Sequence, residues 1–277
     1  MVNVAATSTR AGMTIKPLVL KNCGDTVTAV QTLRGEVVPT NAYSQYNLCD
    51  YTGDDPLRVM NARKEFCRLM GIDPGRLVMP RQRHTSRVAV IDNDFILAPA
   101  EQKKHFLDGI DALVTDVPEV CIGVNTADCV PIALADPVAG IVAVAHAGWR
   151  GTVGRITAGT VTAMRLLGAR VEHISATMGV SICASCFEVG DEVPQAFADA
   201  GFDLNRIMRR NPATGKAHID LQEASRLTLI EAGLIPEMIT LPTTCSRCKP
   251  DLYFSARCLG IASGRTFTAI VLKKPRT

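Results

Sequence analysis

Two apolar runs joined by a short turn constrain the fold of this chain most. Residues 130–135 (VPIALA) and 141–145 (IVAVA) have the length and composition of buried strands, and the intervening DPVAG has turn chemistry. The spacing predicts a hairpin in which Leu134 faces Ile141. In that register Cys129 lies directly opposite His146 on the same face of the ladder.

This pairing would place two potential metal ligands side by side. Directly opposed residues of an antiparallel pair have Cβ atoms about 4.5–5.5 Å apart. Zinc accepts a cysteine sulfur at about 2.3 Å and a histidine nitrogen at about 2.0–2.1 Å, so one ion could bind both side chains. The alternative is that Cys129 is a small core residue and His146 a hydrogen-bonded core histidine. A register shift of one residue would separate the two side chains.

A third ligand must come from another part of the chain, which has five histidines. His84 lies in a polar loop (QRHTS) between two predicted strands, where functional residues concentrate. His218, beside a predicted loop, is the main rival. Three protein ligands leave a fourth position for water or substrate, as in catalytic zinc sites.

The strand–turn–helix segment HAGWRGT, which follows the second run, predicts an anion site. Turns of this kind bring backbone N–H groups and a helix N-terminus towards an anion; the alternative is a tight turn that serves only packing. Arg150 would add a guanidinium fork for a phosphate or carboxylate. Asp128 precedes Cys129 and could support a ligand, act as a general base, or cap the strand.

Composition excludes several classes of function. The 277 residues are 47% hydrophobic with a formal net charge of +3, which is too small to indicate nucleic-acid binding or an anionic membrane surface. No apolar run approaches the roughly 20 residues of a membrane helix. Without a signal-peptide pattern, the ten scattered cysteines indicate reduced thiols and a cytoplasmic protein. Two C-x-x-C pairs, Cys183/Cys186 and Cys245/Cys248, are interpreted as buried or idle thiols because a zinc ribbon has a much shorter gap.

Strands and helices alternate along the chain, which predicts one α/β domain over residues 13–277 after a disordered leader at 1–12. Predicted helices cover Pro56–Met70, Val153–Leu167, Glu188–Ala200 and Asp220–Ala232. Further predicted strands are Leu18–Leu20, Val27–Leu33, Leu77–Met79, Val88–Ile91, Ala112–Thr115, Val120–Val124 and Phe267–Leu272.

At these residues the chain resembles the family described variously as polyphenol oxidase, laccase-domain protein and purine nucleoside phosphorylase. The resemblance covers nearly the whole chain after residue 40, and TADC followed by HAGWRGT is its most specific part. The matching segments are YNLCDYTGDDPLRV (46–59), QRH (82–84), DALVTDVPEVCIGVNTADCVPIALADP (111–137), GIVAVAHAGWRGTVGRI (140–156), GVSICASCFEVGDEV (179–193) and DLYFSARCLGIASGR (251–265).

The resemblance implies a single αββα-layered domain with the metal ligands His84, Cys129 and His146. It also implies zinc-dependent phosphorolysis of adenosine, inosine, guanosine and methylthioadenosine, and hydrolytic deamination of adenosine. It further implies that the small-molecule pocket is lined in part by Asn47, Arg63 and Arg257. The chain departs from the family pattern at Ala62, Thr85, Val180 and Phe187, which puts substrate preference in doubt but removes no ligand.

Three other functions fit the same residues. Two histidines and one cysteine also suit copper, so a copper-binding polyphenol oxidase is one alternative, although five histidines are few for a multi-copper centre. A hydrolase with Cys129 as nucleophile and His146 as base is another. A structural metal or binding module without catalysis is the third.

Overall fold

The computed structural model describes residues 12–38 and 40–274. The leader predicted for residues 1–12 lies outside this range except for Gly12, so it stays a prediction, as does the single-domain boundary. Among the described residues, no helix has both the length and the apolar character needed to cross a bilayer.

Three sheets form the framework. The six-stranded sheet has the order β13 (Ile239–Thr240), β9 (Ser175–Met178), β7 (Val130–Asp136), β8 (Ile141–Ala147), β5 (Ala112–Thr115), β4 (Val88–Val90). The five-stranded sheet has the order β1 (Ile15–Leu18), β2 (Val27–Thr32), β14 (Thr266–Leu272), β6 (Cys121–Thr126), β3 (Leu77–Val78). A small sheet has the order β10 (Glu188–Val189), β12 (Ala217–Ile219), β11 (Met208–Arg210).

The described residues also form nine α-helices: α1 (Pro56–Met70), α2 (Asn93–Leu97), α3 (Ala100–Phe106), α4 (Trp149–Val153), α5 (Ile156–Leu166), α6 (Glu192–Asp199), α7 (Leu204–Ile207), α8 (Leu221–Glu231) and α9 (Ala256–Leu259). Helix α1 shows how local sequence sets its ends. The Asp55 carboxylate caps the first turn by accepting from the Leu57 N–H, and Gly71 ends the helix in the left-handed conformation.

The two large sheets stack face to face, and helices cover their outer faces. Alternate residues of β8 point to opposite sides: Ala143 packs towards α5, α6 and α8, whereas Val144 packs against the five-stranded sheet. On the far side of that sheet, Phe66 of α1 meets Phe267 of β14 edge to face, with ring centroids 5.1 Å apart. The order helix, sheet, sheet, helix confirms the αββα architecture, and burial on both faces explains why β7 and β8 are continuously apolar.

The hairpin of β7 and β8 exists, but the predicted register was wrong by two residues. Leu134 pairs with Ala143, Asp136 with Ile141 and Pro131 with His146. The strands extend further because the Asp136 carboxylate accepts from the N–H groups of Val138 and Ala139, both at 2.9 Å, and so closes a shorter turn. A shift of two residues leaves every side chain on its predicted face.

Two predicted helices were also wrong in extent. The helix predicted from Val153 to Leu167 begins only at Ile156, as α5, and a separate short helix, α4, precedes it; Arg155 between them has a left-handed backbone with φ 59°. The predicted helix Glu188–Ala200 begins only at Glu192, because Glu188 and Val189 form β10 and pair with His218 and Ala217.

Candidate metal centre

The three predicted ligands meet at one end of the β7–β8 hairpin. His146 lies near the end of β8, Cys129 immediately precedes β7, and His84 lies in the loop between β3 and β4. Their ligand atoms all lie within 4.8 Å of one another, with Cys129 Sγ 3.7 Å from His84 Nε2. His146 is buried, Cys129 is half-buried and His84 is exposed. The register error did not affect the site, because Cys129 kept its face.

Asp111, immediately before β5, contacts both histidines: the ring of His146 and the backbone of His84. Its Oδ1 lies 2.7 Å from His146 Nδ1 and accepts from the His84 backbone N–H at 3.1 Å. Its Oδ2 accepts from the N–H groups of Arg83 and Thr85 and from the Thr85 hydroxyl. With the Nδ1 proton of His146 held by Asp111, Nε2 is left for a metal. Asp111 was missed in the sequence, where its only signal is an acidic residue directly before a fully buried strand.

Electrostatic interaction between Cys129 and the two histidines favours the thiolate form of Cys129. Burial alone would raise the pKa of Cys129, but His146 and His84 outweigh it and lower that pKa to about 6. Burial alone would lower the pKa of His146, but Cys129 and Asp111 raise it to about 9. A thiolate is the form of cysteine that binds metal ions.

The space between two of the predicted ligands requires glycine at position 148. A Cβ atom on Gly148 would lie 2.8 Å from His84 Cδ2 and 3.1 Å from Cys129 Sγ. His84 itself has a left-handed backbone, φ 59°, which the hydrogen bonds from residues 83–85 to Asp111 maintain. The glycine and the bent loop together hold the imidazole and the thiolate in contact, so this donor set fits one metal ion.

Two cavities adjoin the cluster, and His84 and Cys129 line both. The smaller, about 270 Å³, is also lined by Arg83, Asp128, Trp149, Arg150, Ile182, Phe187 and Leu221. The larger, about 410 Å³, is also lined by Tyr51, Thr52, Gln82, Asn125, Ala127, His146, Ala256, Ile261, Ala262 and Arg265. Small-molecule pockets usually measure about 300–1,000 Å³, so the larger cavity is in that range and the smaller one just below it.

The predicted anion ligand Arg150 lines the smaller cavity. Its guanidinium stacks on the Trp149 ring, 4.1 Å from the centroid, and forms no ion pair with any carboxylate in residues 12–38 or 40–274. By contrast, the neighbouring Arg83 is held by Asp108 through two contacts of 2.9 and 3.1 Å. Arg150 therefore has an unpaired positive charge beside the metal ligands.

Asp128 lines this cavity and is linked to Arg257, which is not among the lining residues of either cavity. The Asp128 carboxylate accepts from the Arg257 backbone N–H at 2.8 Å and from the Ser246 hydroxyl at 2.7 Å. The Arg257 guanidinium is directed elsewhere and donates to the Glu188 carbonyl at 2.7 Å. In this structure Asp128 joins the segment before Cys129 to the loop that carries Ser246 and to helix α9.

Asn47 and Arg63 are not among the residues that line the two cavities. Asn47 is buried, and its side chain bonds to Cys49, Asp54 and the N–H of Arg265. Arg63 donates to the Leu48 carbonyl and pairs with Asp50 at 3.0 Å. Asn47 thus reaches the larger cavity only through Arg265, whose backbone it holds.

The larger cavity contains polar residues that were not predicted. Gln82 is buried and exchanges hydrogen bonds with the backbone of Asn125, both at 2.8 Å. Asn125 is 3% exposed, and apart from an interaction with the Tyr51 hydroxyl its amide forms no hydrogen bond within the described residues. A buried amide without partners costs free energy unless a ligand or water satisfies it. Asn125 is therefore a candidate for recognising a ligand; its only sequence signal is an amide near the end of a mostly apolar strand.

Comparison with known proteins finds relatives that match most of the chain. The chain is 57% identical over 247 residues to adenosine deaminase RL5 from an unknown prokaryotic organism, covering 89% of this chain and 94% of the relative. It is 39% identical to a purine nucleoside phosphorylase from Bacteroides thetaiotaomicron, covering 84% of this chain and 86% of the relative.

Solved structures show the same architecture. The hypothetical protein YfiH of Bacillus licheniformis superimposes with a TM-score of 0.82 at 27% identity, covering 93% of this chain and 97% of that one. YlmD of Geobacillus stearothermophilus superimposes with a TM-score of 0.81 at 27% identity, covering 90% of this chain and 93% of that one. A family model described as multi-copper polyphenol oxidoreductase laccase matches residues 28–273. The chain therefore belongs to the multi-copper polyphenol oxidoreductase laccase family.

Proposed function

We propose that this protein is a zinc-dependent enzyme of purine nucleosides. It would cleave adenosine, inosine, guanosine and methylthioadenosine with phosphate, and it would deaminate adenosine with water. The names of its relatives, adenosine deaminase and purine nucleoside phosphorylase, support this chemistry. The structural observation that carries the proposal is that one His/Cys/His cluster lies between two cavities of different chemistry.

The larger cavity suits the nucleoside. A purine presents hydrogen-bond donors and acceptors along its edge, and an amide side chain offers one of each. Asn125 lines this cavity, and its amide has hydrogen-bonding capacity left over beyond its interaction with Tyr51. Gln82 fixes the Asn125 backbone, so the Asn125 amide is positioned before a ligand arrives. Pre-positioned polar groups of this kind supply specificity at little cost in ordering.

The smaller cavity suits the anion. Arg150 lines it with an unpaired guanidinium, and Arg83 lines it beside His84. A guanidinium binds phosphate through two parallel hydrogen bonds. Because His84 and Cys129 line both cavities, a phosphate in one and a nucleoside in the other would meet at the ligand cluster.

His84, Cys129 and His146 would hold the zinc ion. A bound zinc ion supplies a Lewis acid and lowers the pKa of water towards neutrality. Asp111 keeps His146 in the tautomer that a metal requires. In phosphorolysis the N-glycosidic bond breaks and ribose C1′ bonds to a phosphate oxygen. In deamination the purine C6–N bond breaks, and adenosine and water give inosine and ammonia.

The test is to incubate purified protein with adenosine or inosine, with and without phosphate, and to separate the products by chromatography. Adenine or hypoxanthine that forms only with phosphate indicates phosphorolysis, and inosine from adenosine indicates deamination. The same assay on Cys129→Ala should show neither product. Absence of both products from zinc-loaded, folded wild-type protein would refute the proposal.

Copper-dependent oxidation of phenols is the second candidate. It is favoured by the donor set of two imidazoles and one thiolate, which copper also binds, and by the family description. Oxygen consumption with a diphenol, compared between copper-loaded and zinc-loaded protein, separates the two candidates.

A further inference from the structure

A second group of metal-binding side chains lies outside the candidate active site. Cys183, Cys186, Cys245 and Cys248 have sulfur atoms that all lie within 4.8 Å of one another. As two C-x-x-C pairs they were expected to be idle, because a gap of this length is unlike a zinc ribbon. That interpretation assumed that the pairs stay apart, whereas the fold brings them together.

The two segments are joined by backbone contacts. Ser181 and Cys245 form a parallel β-bridge, and the Ser246 N–H donates to the Ser181 carbonyl at 3.0 Å. Each pair then folds as a tight turn: the Cys186 N–H donates to the Cys183 carbonyl at 3.0 Å, and the Lys249 N–H to the Cys245 carbonyl at 3.1 Å. The turns direct the four side chains to a common point.

The distances match a tetrahedral ion. Four sulfur atoms at about 2.3 Å from one zinc lie about 3.8 Å from each other. Here Cys186 Sγ and Cys248 Sγ are 3.5 Å apart, and no pair exceeds 4.8 Å. The Cys183 N–H also donates to Cys245 Sγ at 3.2 Å, a contact that favours a thiolate.

The surroundings favour a site with net negative charge. Four thiolates and one divalent cation carry a net charge of about −2. Two cationic residues, Arg247 and Lys249, flank Cys248 in the sequence. Acidic side chains are absent from both turns, residues 183–186 and 245–249.

We propose that these four cysteines bind a second zinc ion with a structural role. Four protein ligands close the coordination sphere, which leaves no position for substrate. The site would nevertheless act on the smaller cavity. Ile182 and Phe187 flank the first pair and line that cavity, and Ser246 in the second pair holds Asp128. Zinc would therefore clamp the two loops that form its wall.

The experiment measures zinc content in a Cys129→Ala/His146→Ala background, where the first site is destroyed. After zinc loading and gel filtration, this variant should keep about one equivalent of zinc per chain. Adding Cys186→Ser and Cys248→Ser should remove it. Adding Cys258→Ser, an exposed cysteine outside the cluster, should leave it in place. Folded background protein without zinc would overturn the proposal.

Wild-type protein gives a test that needs no variant. With both sites filled, zinc X-ray absorption should show on average about 2.5 sulfur donors per zinc, whereas the His/Cys/His site alone gives about one. Thiol counting on chelated, denatured and unreduced protein should find all ten cysteines reduced. A count lower by two or more would show a disulfide in place of the metal and overturn the proposal, provided the missing thiols map to these four cysteines.

Discussion

The carboxylate of Asp111 lies 2.7 Å from Nδ1 of His146, and both side chains are buried. The same carboxylate accepts hydrogen bonds from three backbone N–H groups of the loop that carries His84. One side chain therefore fixes the ring orientation of one ligand and the backbone of another. This makes Asp111 as important to the site as the ligands themselves.

We predict that Asp111→Asn weakens zinc binding about 10- to 100-fold, the usual effect of losing a carboxylate behind a histidine ligand. Competition with a chromophoric chelator measures this change. Asp108→Asn is the matched control, because the Asp108 side chain is 44% exposed and pairs with Arg81 and Arg83 rather than with a proposed ligand. Equal zinc affinity in Asp111→Asn and wild type would contradict the role of Asp111.

We predict that Gly148→Ala reduces zinc affinity by about tenfold or more, because the added methyl would displace His84 or Cys129 from a common ion. Gly159→Ala is the control: its Cβ would meet only Val88, at an ordinary 3.5 Å, and alanine favours the helix. Zinc titration and thermal unfolding should be run on both. Wild-type affinity in Gly148→Ala would show that the contact is relieved elsewhere.

In chelated protein we predict that Cys129 ionises near pH 6, well below its ordinary pKa of 9.0. Its contribution to stability is then lost as the pH falls through about 6, because the folded-state pKa is lowered. The contribution of His146, whose pKa is raised to about 9, is lost as the pH rises through that value. The rate of Cys129 alkylation against pH gives the midpoint. In His146→Ala the midpoint should move upwards, and an unchanged midpoint would contradict the ion pair.

We predict that removal of zinc abolishes activity and leaves the fold intact. The three apolar cores contain none of the seven proposed ligands; His146 and Cys245 are buried, but outside those cores. Far-UV circular dichroism should be unchanged by a chelator, while the melting temperature falls. Zinc at about 100 times its Kd adds roughly 2.7 kcal/mol per site. Loss of secondary structure on chelation of a Cys186→Ser/Cys248→Ser variant, which lacks the second site, would make the His/Cys/His site structural.

We predict that Arg150→Ala raises the KM for phosphate by one to two orders of magnitude, since loss of a charge-assisted contact costs roughly 1.5–3 kcal/mol. Deamination of adenosine, which uses water, should change much less. Arg150→Lys should recover only part of the loss, because an ammonium lacks the planar fork. Arg165→Ala, on the exposed side of α5, is the control. Equal losses in both reactions at full zinc content would refute a phosphate role.

The sequence predicted the part of the site that depends on local pattern. Alternation along β7 and β8 placed Cys129 and His146 on one face, and that conclusion survived a register error of two residues. The register itself depended on how Asp136 bonds within the turn, which composition does not reveal. The break between α4 and α5 likewise depends on the backbone of Arg155.

Features that depend on distant segments could not be predicted in this way. Asp111 is 35 positions from His146 and meets it only because β5 pairs with β8. The second cysteine cluster depends on the bridge between Ser181 and Cys245. In both cases the residue types were visible in the sequence, but the contact is set by the packing of the whole fold.

The three ligands of the first site differ in how freely they can move. His146 is on a strand buried on both faces, whereas His84 is exposed in a loop held chiefly through Asp111. Dissociation of the ion would therefore begin at His84, and His146 would be the last ligand to dissociate from it. The rate at which the site gains or loses metal is consequently set by the loop that carries His84. The position of the site in the fold is set by the buried strand that carries His146.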